Sequence, residues 1–207
     1  MSVLTLSNPQ ALYEGGTIPS EPIWRFTVDQ YHEMIDKGIL TDDDPVELLE
    51  GWLVIKMSKN PPHSVVSQLI REAISPLLPT DWFVSSQEPI TTKTSEPEPD
   101  VSVVKGRRRD YLKRHPFPLE VGLLVEVSDA SVGRDRTIKK RIYAQARIPV
   151  YWIVNLIDKL IEVYTDPTGP GKKPDYRKRQ DFKPGESIPV VLGGKKVGLL
   201  AVSEILP

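Results

Sequence analysis

The chain has 207 residues, 39% hydrophobic and 27% charged, with a formal net charge of −1, which fits one domain with its own core and argues against disorder throughout. It has no cysteine, so a disulfide framework, a thiolate nucleophile and a Cys-ligated zinc or iron–sulfur site are excluded. No apolar run approaches the roughly 20 residues that cross a bilayer, and no basic-then-apolar leader opens the chain, so no membrane partner and a cytoplasmic location are expected.

The charge is unevenly spread. Residues 1–50 hold ten acids and two bases, whereas residues 105–183 hold nineteen of the 27 Lys and Arg against ten acids. The basic stretches are Lys105–Arg114, Arg134–Arg141 and Lys172–Lys183. Solvated surface is the plain reading of such runs; a polyanion-binding face is the sharper one. Any nucleic-acid affinity must then come from local patches and fall with salt.

Residues 1–23, with Asn8-Pro9, Gly15-Gly16, Pro19 and Pro22, read as an N-terminal arm, and residues 24–207 as a single domain. Thr27 with Gln30 forms a capping-box pattern, and Val28, Tyr31, Met34 and Ile35 follow at helical spacing up to Gly38. Val46–Met57 reads as two strands folded at Glu50-Gly51. Residues 61–79 are bounded by prolines, and Val65, Val66, Leu69, Ile70, Ala73, Ile74 and Leu77 predict a helix. Trp82–Thr92 and Val101–Val104 read as strands, and the apolar run Val121–Val127 as a strand covered on both faces. Residues 134–147 read as a basic helix. Val150–Leu156 and Leu160–Thr165 read as a hairpin, within which Val150–Val154 and Leu160–Val163 are apolar enough to be core or a dimer face. Short strands follow, with a last helical turn over Leu200–Leu206. This order predicts an α/β or α+β fold with a mixed sheet and packed helices.

No phosphate-binding loop, nucleophile elbow or dinucleotide fingerprint occurs, and three histidines are too few for a His-rich metal site. The positive signal is carboxylates in odd places. Asp100 opens the strand Val101–Val104 after Glu96-Pro97-Glu98-Pro99. Glu126 lies inside the most apolar strand, where a lone carboxylate is costly unless paired or bound to a metal. Alternation puts Leu124, Glu126 and Ser128 on one face. Asp135, Lys139 and Tyr143 follow, each four apart on one helical face. Glu47 interrupts another apolar segment. Each has a plainer reading: Glu126 at a solvated strand end, Asp135–Lys139 as a surface ion pair, Glu47 on an exposed hairpin face, His63 as an ordinarily packed helix-start residue.

Taken together, these residues resemble the Uma2 family (DUF820), a bacterial group abundant in cyanobacteria and placed among the PD-(D/E)XK nucleases. The matching stretches are Val46–Leu53, Pro62-His63, Pro99–Val104, Leu124–Ser128, Asp135-Arg136 with Lys139, and Tyr143-Ala144 with Tyr151–Val154. The resemblance implies a restriction-endonuclease-like α/β core, a central mixed β-sheet flanked by helices, with an extra N-terminal helix and β-hairpins. It implies that Asp100 is the Asp of the PD motif, Glu126 the second acid and Glu47 an upstream acid completing the site. The motif's Lys normally stands two residues after the second acid. That position here is Ser128, and Lys139 on the next helix is the match. His63 matches a histidine near the site in relatives.

The implied activity is Mg²⁺-dependent hydrolysis of DNA, with Mn²⁺ an alternative metal. Asp100, Glu126 and the carbonyl of Val127 are the implied metal ligands, and Lys139 the implied partner of the attacking water or of the developing charge, with Asp135 holding its ammonium. Cutting both strands calls for two sites, for which a homodimer is the commonest arrangement. Two other classes compete: an inactive nucleic-acid-binding or scaffold protein of the same fold, and a metal-dependent phosphodiesterase acting on RNA or nucleotides.

Overall fold

The computed structural model describes residues 20–206. The expected arm at residues 1–23 therefore lies almost wholly outside the described residues.

Helix α1 (Val28–Asp36) starts at Thr27, whose hydroxyl accepts from the Gln30 amide while the Gln30 side chain accepts from the Thr27 amide, so the predicted capping box forms. Strands β1 (Val46–Leu49) and β2 (Trp52–Ile55) form the first hairpin. Glu50 and Gly51 both take positive φ, 50° and 84°, as a tight hairpin turn of this hand requires. A Cβ on Gly51 would lie 2.7 Å from Arg25 Cβ, so this turn also admits the close passage of the chain entering α1.

Helix α2 (Pro61–Ile74) buries Val66, Ile70 and Ile74 as the period predicts, and a 3₁₀ turn, Ser75–Leu77, completes the segment. Strand β3 (Trp82–Ser85) is shorter than the expected Trp82–Thr92. The chain turns at Gln87, with φ of 57°, and Pro89 can donate no ladder bond. Then come β4 (Val101–Lys105), β5 (Val121–Ser128), β6 (Val150–Asn155), β7 (Leu160–Pro167) and β8 (Tyr176–Phe182). These six strands pair in chain order, antiparallel except for β5 and β6.

That parallel pair needs a crossover over the sheet. The crossover comprises α3 (Val132–Arg134), a π-helical segment (Asp135–Lys139) and α4 (Lys140–Gln145), instead of one regular helix over 134–147. In the π segment the Lys140 amide reaches back to the Asp135 carbonyl, five residues away. Strands β9 (Ser187–Leu192) and β10 (Lys195–Ala201) form a separate hairpin, followed by a 3₁₀ turn at Val202–Glu204.

The sheet is covered on both faces. Leu123, Val125 and Val127 pack with α2 and the β9–β10 hairpin; Leu124 and Ile153 pack with Ile142 and Tyr143 of α4. The alternation expected for β5 is therefore observed. A third cluster (Val28, Tyr31, Leu48) seats α1 on the β1–β2 hairpin. Every residue of β6 is buried, so the apolar β6–β7 hairpin is core and offers no dimer face along β6. The basic stretch Lys172–Lys183 contains β8, an edge strand, where charge discourages pairing with another chain. Among the described residues no helix is long and apolar enough to cross a membrane.

Candidate active site

Asp100, Glu126, Val127, Lys139, Glu47, Asp135 and His63 line one cleft. The topology explains the convergence. The antiparallel pairing of β4 with β5 sets Val101 beside Val125, so Asp100, just before β4, lies next to the end of β5 that carries Glu126. The crossover lays Lys139 and Tyr143 over that end. The β1–β2 hairpin brings in Glu47, and the first turn of α2 brings in His63.

Asp100 Oδ2 accepts the Val127 amide at 2.8 Å and lies 3.0 Å from His63 Nε2. Glu126 Oε1 accepts the Tyr143 hydroxyl at 2.6 Å and the Lys139 ammonium at 3.0 Å. Glu47 Oε2 accepts the Glu98 amide at 3.0 Å and lies 3.2 Å from Lys139 Nζ. In each carboxylate the anchoring contacts fall on one oxygen. Among the described residues, no donor hydrogen-bonds to Asp100 Oδ1, Glu126 Oε2 or Glu47 Oε1; Arg134 approaches the last no closer than 3.9 Å.

The Lys139 ammonium donates to Glu126 and, at 3.5 Å, to the Glu98 carbonyl, and forms an ion pair with Glu47. Glu98 thus holds Glu47 with its amide and Lys139 with its carbonyl. Its segment is pinned to β1 by the Glu96 amide, which donates to the Leu48 carbonyl at 2.7 Å.

Burial drives the electrostatics. It pushes the Glu126 carboxyl up to about 8; Lys139 opposes the rise, while the charges of Asp135 and Asp100 add to it. Burial alone would lower the Lys139 amine, but Glu126, Glu47 and Asp135 outweigh it and hold the ammonium above its usual range. Asp135 is likewise raised by burial, against Lys139 and its hydroxyl partners.

Several plain readings fail. Glu47 and Glu126 are 1% and 4% exposed, so neither sits on a solvated face. Asp135 and Lys139 are both buried, and among the described residues they form no ion pair within 4 Å. Asp135 Oδ2 instead accepts the Ser128 hydroxyl at 2.7 Å, so the expectation that it grips the Lys139 ammonium is corrected. The residue at the usual lysine position thus orients an acid of the crossover. His63 packs against Asp100 with Nδ1 buried and unpartnered, which is not ordinary helix-start packing. Lys140 turns away to Asp175, 2.9 Å distant.

The Tyr143 contact could be anticipated, because Asp135, Lys139 and Tyr143 share a four-residue spacing. The Glu98 contacts could not, since main-chain groups leave no mark on residue type. Many cations of the basic stretches are already paired: Arg136 with Glu162, Arg141 with Glu50, Arg114 with Glu120, Arg177 with Asp166.

Among the described residues no three His, Cys, Asp or Glu side chains close into a cage for an ion. Mg²⁺ does not need one, since it binds through one or two carboxylates and keeps several waters. Two acids with open oxygens, beside a main chain that can offer a carbonyl, are hard donors suited to Mg²⁺ or Mn²⁺. The donor set fits such an ion.

A profile of the Uma2 family, described as "Putative restriction endonuclease", matches residues 28–200. Among solved structures, the chain is similar to one described as a putative nuclease belonging to DUF820 from Anabaena variabilis ATCC 29413. The TM-score is 0.60 at 15% identity, over 87% of this chain and 97% of that one, a likeness of fold. No curated protein matches the chain. The family profile spans most of the sequence, from α1 to β10, and includes every acid of the cleft: the chain belongs to the Uma2 family.

Proposed function

We propose that this protein is an Mg²⁺-dependent endonuclease that hydrolyses DNA phosphodiester bonds, with Asp100, Glu126, Lys139 and Glu47 at the reacting centre. One observation carries the reading: buried carboxylates share a cleft, each with one oxygen fixed by protein donors and the other open. A purely structural acid would have both oxygens satisfied.

Asp100, Glu126 and the Val127 carbonyl would hold the cation. When bound, a hard divalent cation lowers the pKa of an attacking water and offsets charge on the phosphoryl oxygens. The chain's own groups supply placement. Val127 and His63 fix Asp100; Tyr143 and Lys139 fix Glu126. Lys139 stays charged and faces the developing negative charge. Its contact to the Glu98 carbonyl is the longest of its three, and is the one exchanged for a water or phosphoryl oxygen. In the reaction a water oxygen bonds to phosphorus and the bond from phosphorus to the leaving sugar oxygen breaks. The water loses a proton and the leaving oxygen gains one, so a diester becomes a monoester and an alcohol.

The test is conversion of supercoiled plasmid in Mg²⁺, in excess chelator, and by Asp100→Ala, Glu126→Ala and Lys139→Ala proteins that melt normally. Nicking confined to the metal-loaded wild-type protein supports the reading. Equal nicking by all three variants, or nicking in chelator, contradicts it. Salt-dependent DNA binding that survives all three substitutions without any cleavage would mark an inactive binder instead, and cleavage of RNA alone would move the substrate class.

A further inference from the structure

Arg134 ends α3 at the mouth of the same cleft and has no role in the mechanism above. A guanidinium carries five N–H donors in a fixed fork. Here Nη1 donates to the Ile55 carbonyl at 3.0 Å, and the nearest carboxylate oxygen, Glu47 Oε1, is 3.9 Å away, too far for a hydrogen bond. Nε is buried and has no acceptor among the described residues. Glu47 is not free to complete the pair, because its other oxygen is held by the Glu98 amide and Lys139.

This is an arginine brought to an acid-lined cleft and left with its bidentate edge unused. Lys56, Lys59 and Asn60, from the segment after β2, border the same cleft as Asp129, Ser131 and Arg134. Lys56 is paired with Glu98, and Asp129 accepts from Asn60, so Lys59 and Arg134 are the rim cations with no carboxylate in hydrogen-bond contact among the described residues, above an anionic floor. A ligand that satisfies both rim and floor carries a tetrahedral anion that the fork can grip and that a floor-bound cation can share. A carboxylate of the protein meets only the first need.

We propose that Arg134 is a substrate-binding residue that takes two oxygens of a backbone phosphate through its Nε–Nη2 edge, while Nη1 keeps its bond to the Ile55 carbonyl and holds the fork in place. The inference rests on the nuclease reading, since it names the group that presents the phosphate to that centre. Bidentate geometry suits phosphate and is not reproduced by lysine.

The test uses the full-length protein and a fluorescein-labelled DNA duplex, with anisotropy in chelator across a salt series and cleavage kinetics in Mg²⁺. Wild type is compared with Arg134→Ala, Arg134→Lys, and Arg134→Ala supplemented with dilute guanidinium. Melting curves check folding. The expected result is about tenfold weaker binding by Arg134→Ala. Its salt slope should fall by about one, with Arg134→Lys regaining the slope but only part of the affinity. Guanidinium should restore Arg134→Ala, and KM should rise more than kcat falls. Wild-type affinity and slope in Arg134→Ala, or a loss that neither lysine nor guanidinium repairs, overturns the proposal. If wild type binds DNA but cuts nothing, the nuclease reading falls while the salt slope still decides on Arg134. If wild type cuts and Arg134→Ala binds and cuts equally well, the Arg134 proposal falls alone. Should Arg134→Ala fail to fold, Arg134→Lys against wild type decides: equal affinity overturns the bidentate grip.

Discussion

Register sets Glu126 of β5 beside Ile153 of β6, and Ile153 beside Glu162 of β7. The two acids therefore share one row of the sheet, about 10 Å apart on one face. Each accepts a tyrosine hydroxyl at 2.6 Å, from Tyr143 and Tyr164 respectively. There the likeness stops. Glu162 has both oxygens in use: Oε1 accepts Arg136 Nε at 2.9 Å, and Oε2 takes Tyr164 with Arg179 at 3.5 Å. Burial pushes its carboxyl up, but the bonds from Arg136 and Tyr164 and the charges of Arg179 and Arg136 prevail, and it lies below its ordinary value. Glu126 has one oxygen in use and is pushed up to about 8. The same residue type, on the same face, is a finished structural ion pair in one place and a carboxylate with one oxygen open in the other. Burial alone thus does not distinguish a functional acid from a structural one; the occupancy of its second oxygen does.

The largest expected difference is in activity. Glu126→Gln should lower metal-dependent plasmid cleavage by at least about a hundredfold, while Glu162→Gln leaves cleavage per folded molecule unchanged. Equal losses would erase the distinction.

Stability should follow the reverse order. Glu162→Gln weakens the bonds to Arg136 and Arg179, which are 35% and 40% exposed and keep Asp158 and Asp181 as partners, and should cost about 2 kcal/mol, roughly 4–8 °C in Tm. Glu126→Gln keeps an oxygen that can accept from Tyr143 and Lys139 while Glu47 still holds Lys139, so it should melt within about 1 kcal/mol of wild type in chelator. Differential scanning calorimetry of both variants checks this.

A bound cation should narrow the gap in the other direction. At a hundredfold excess over its Kd, Mg²⁺ should stabilise wild type by about 2.7 kcal/mol and leave Glu126→Gln almost unmoved. A similar shift in both would place the ion elsewhere.

The smallest effect is in acid. Because the folded carboxyl of Glu162 is lowered, its contribution is fully present above the unfolded value, about 4.3, and is lost as pH falls through the folded one. Urea midpoints between neutral pH and about pH 3 should fall less steeply for Glu162→Gln than for wild type. Identical acid limbs would mean that the pair does not hold Glu162 ionised.

Much of this was legible in the residues. Val66, Ile70 and Ile74 announce the buried face of α2 because helical period and burial coincide. Glu126 stands out because a charge inside Val121–Val127 violates the pattern of a covered strand, and the violation falls in the candidate cleft. Glu162 too interrupts an apolar strand, yet its sequence surroundings carry no sign of its pairing. Its arginine partners, Arg136 and Arg179, lie far from it in sequence, so nothing local separates it from a surface acid. The π-helical turn at Asp135–Lys139 was hidden as well, because one extra residue per turn does not disturb a four-residue spacing enough to show. Main-chain contributions, such as the Glu98 amide and carbonyl, lie beyond any reading of side chains.

The central claim is that Asp100 and Glu126 would together hold one divalent ion through the oxygens that no protein donor occupies. A crystal soaked in Mn²⁺ tests it through anomalous scattering. The account predicts a single strong peak within about 2.0–2.3 Å of one oxygen from each carboxylate, with Lys139 still facing the site. A crystal that takes up Mn²⁺ only at other acids, or that shows Asp100 and Glu126 turned from each other, would contradict it.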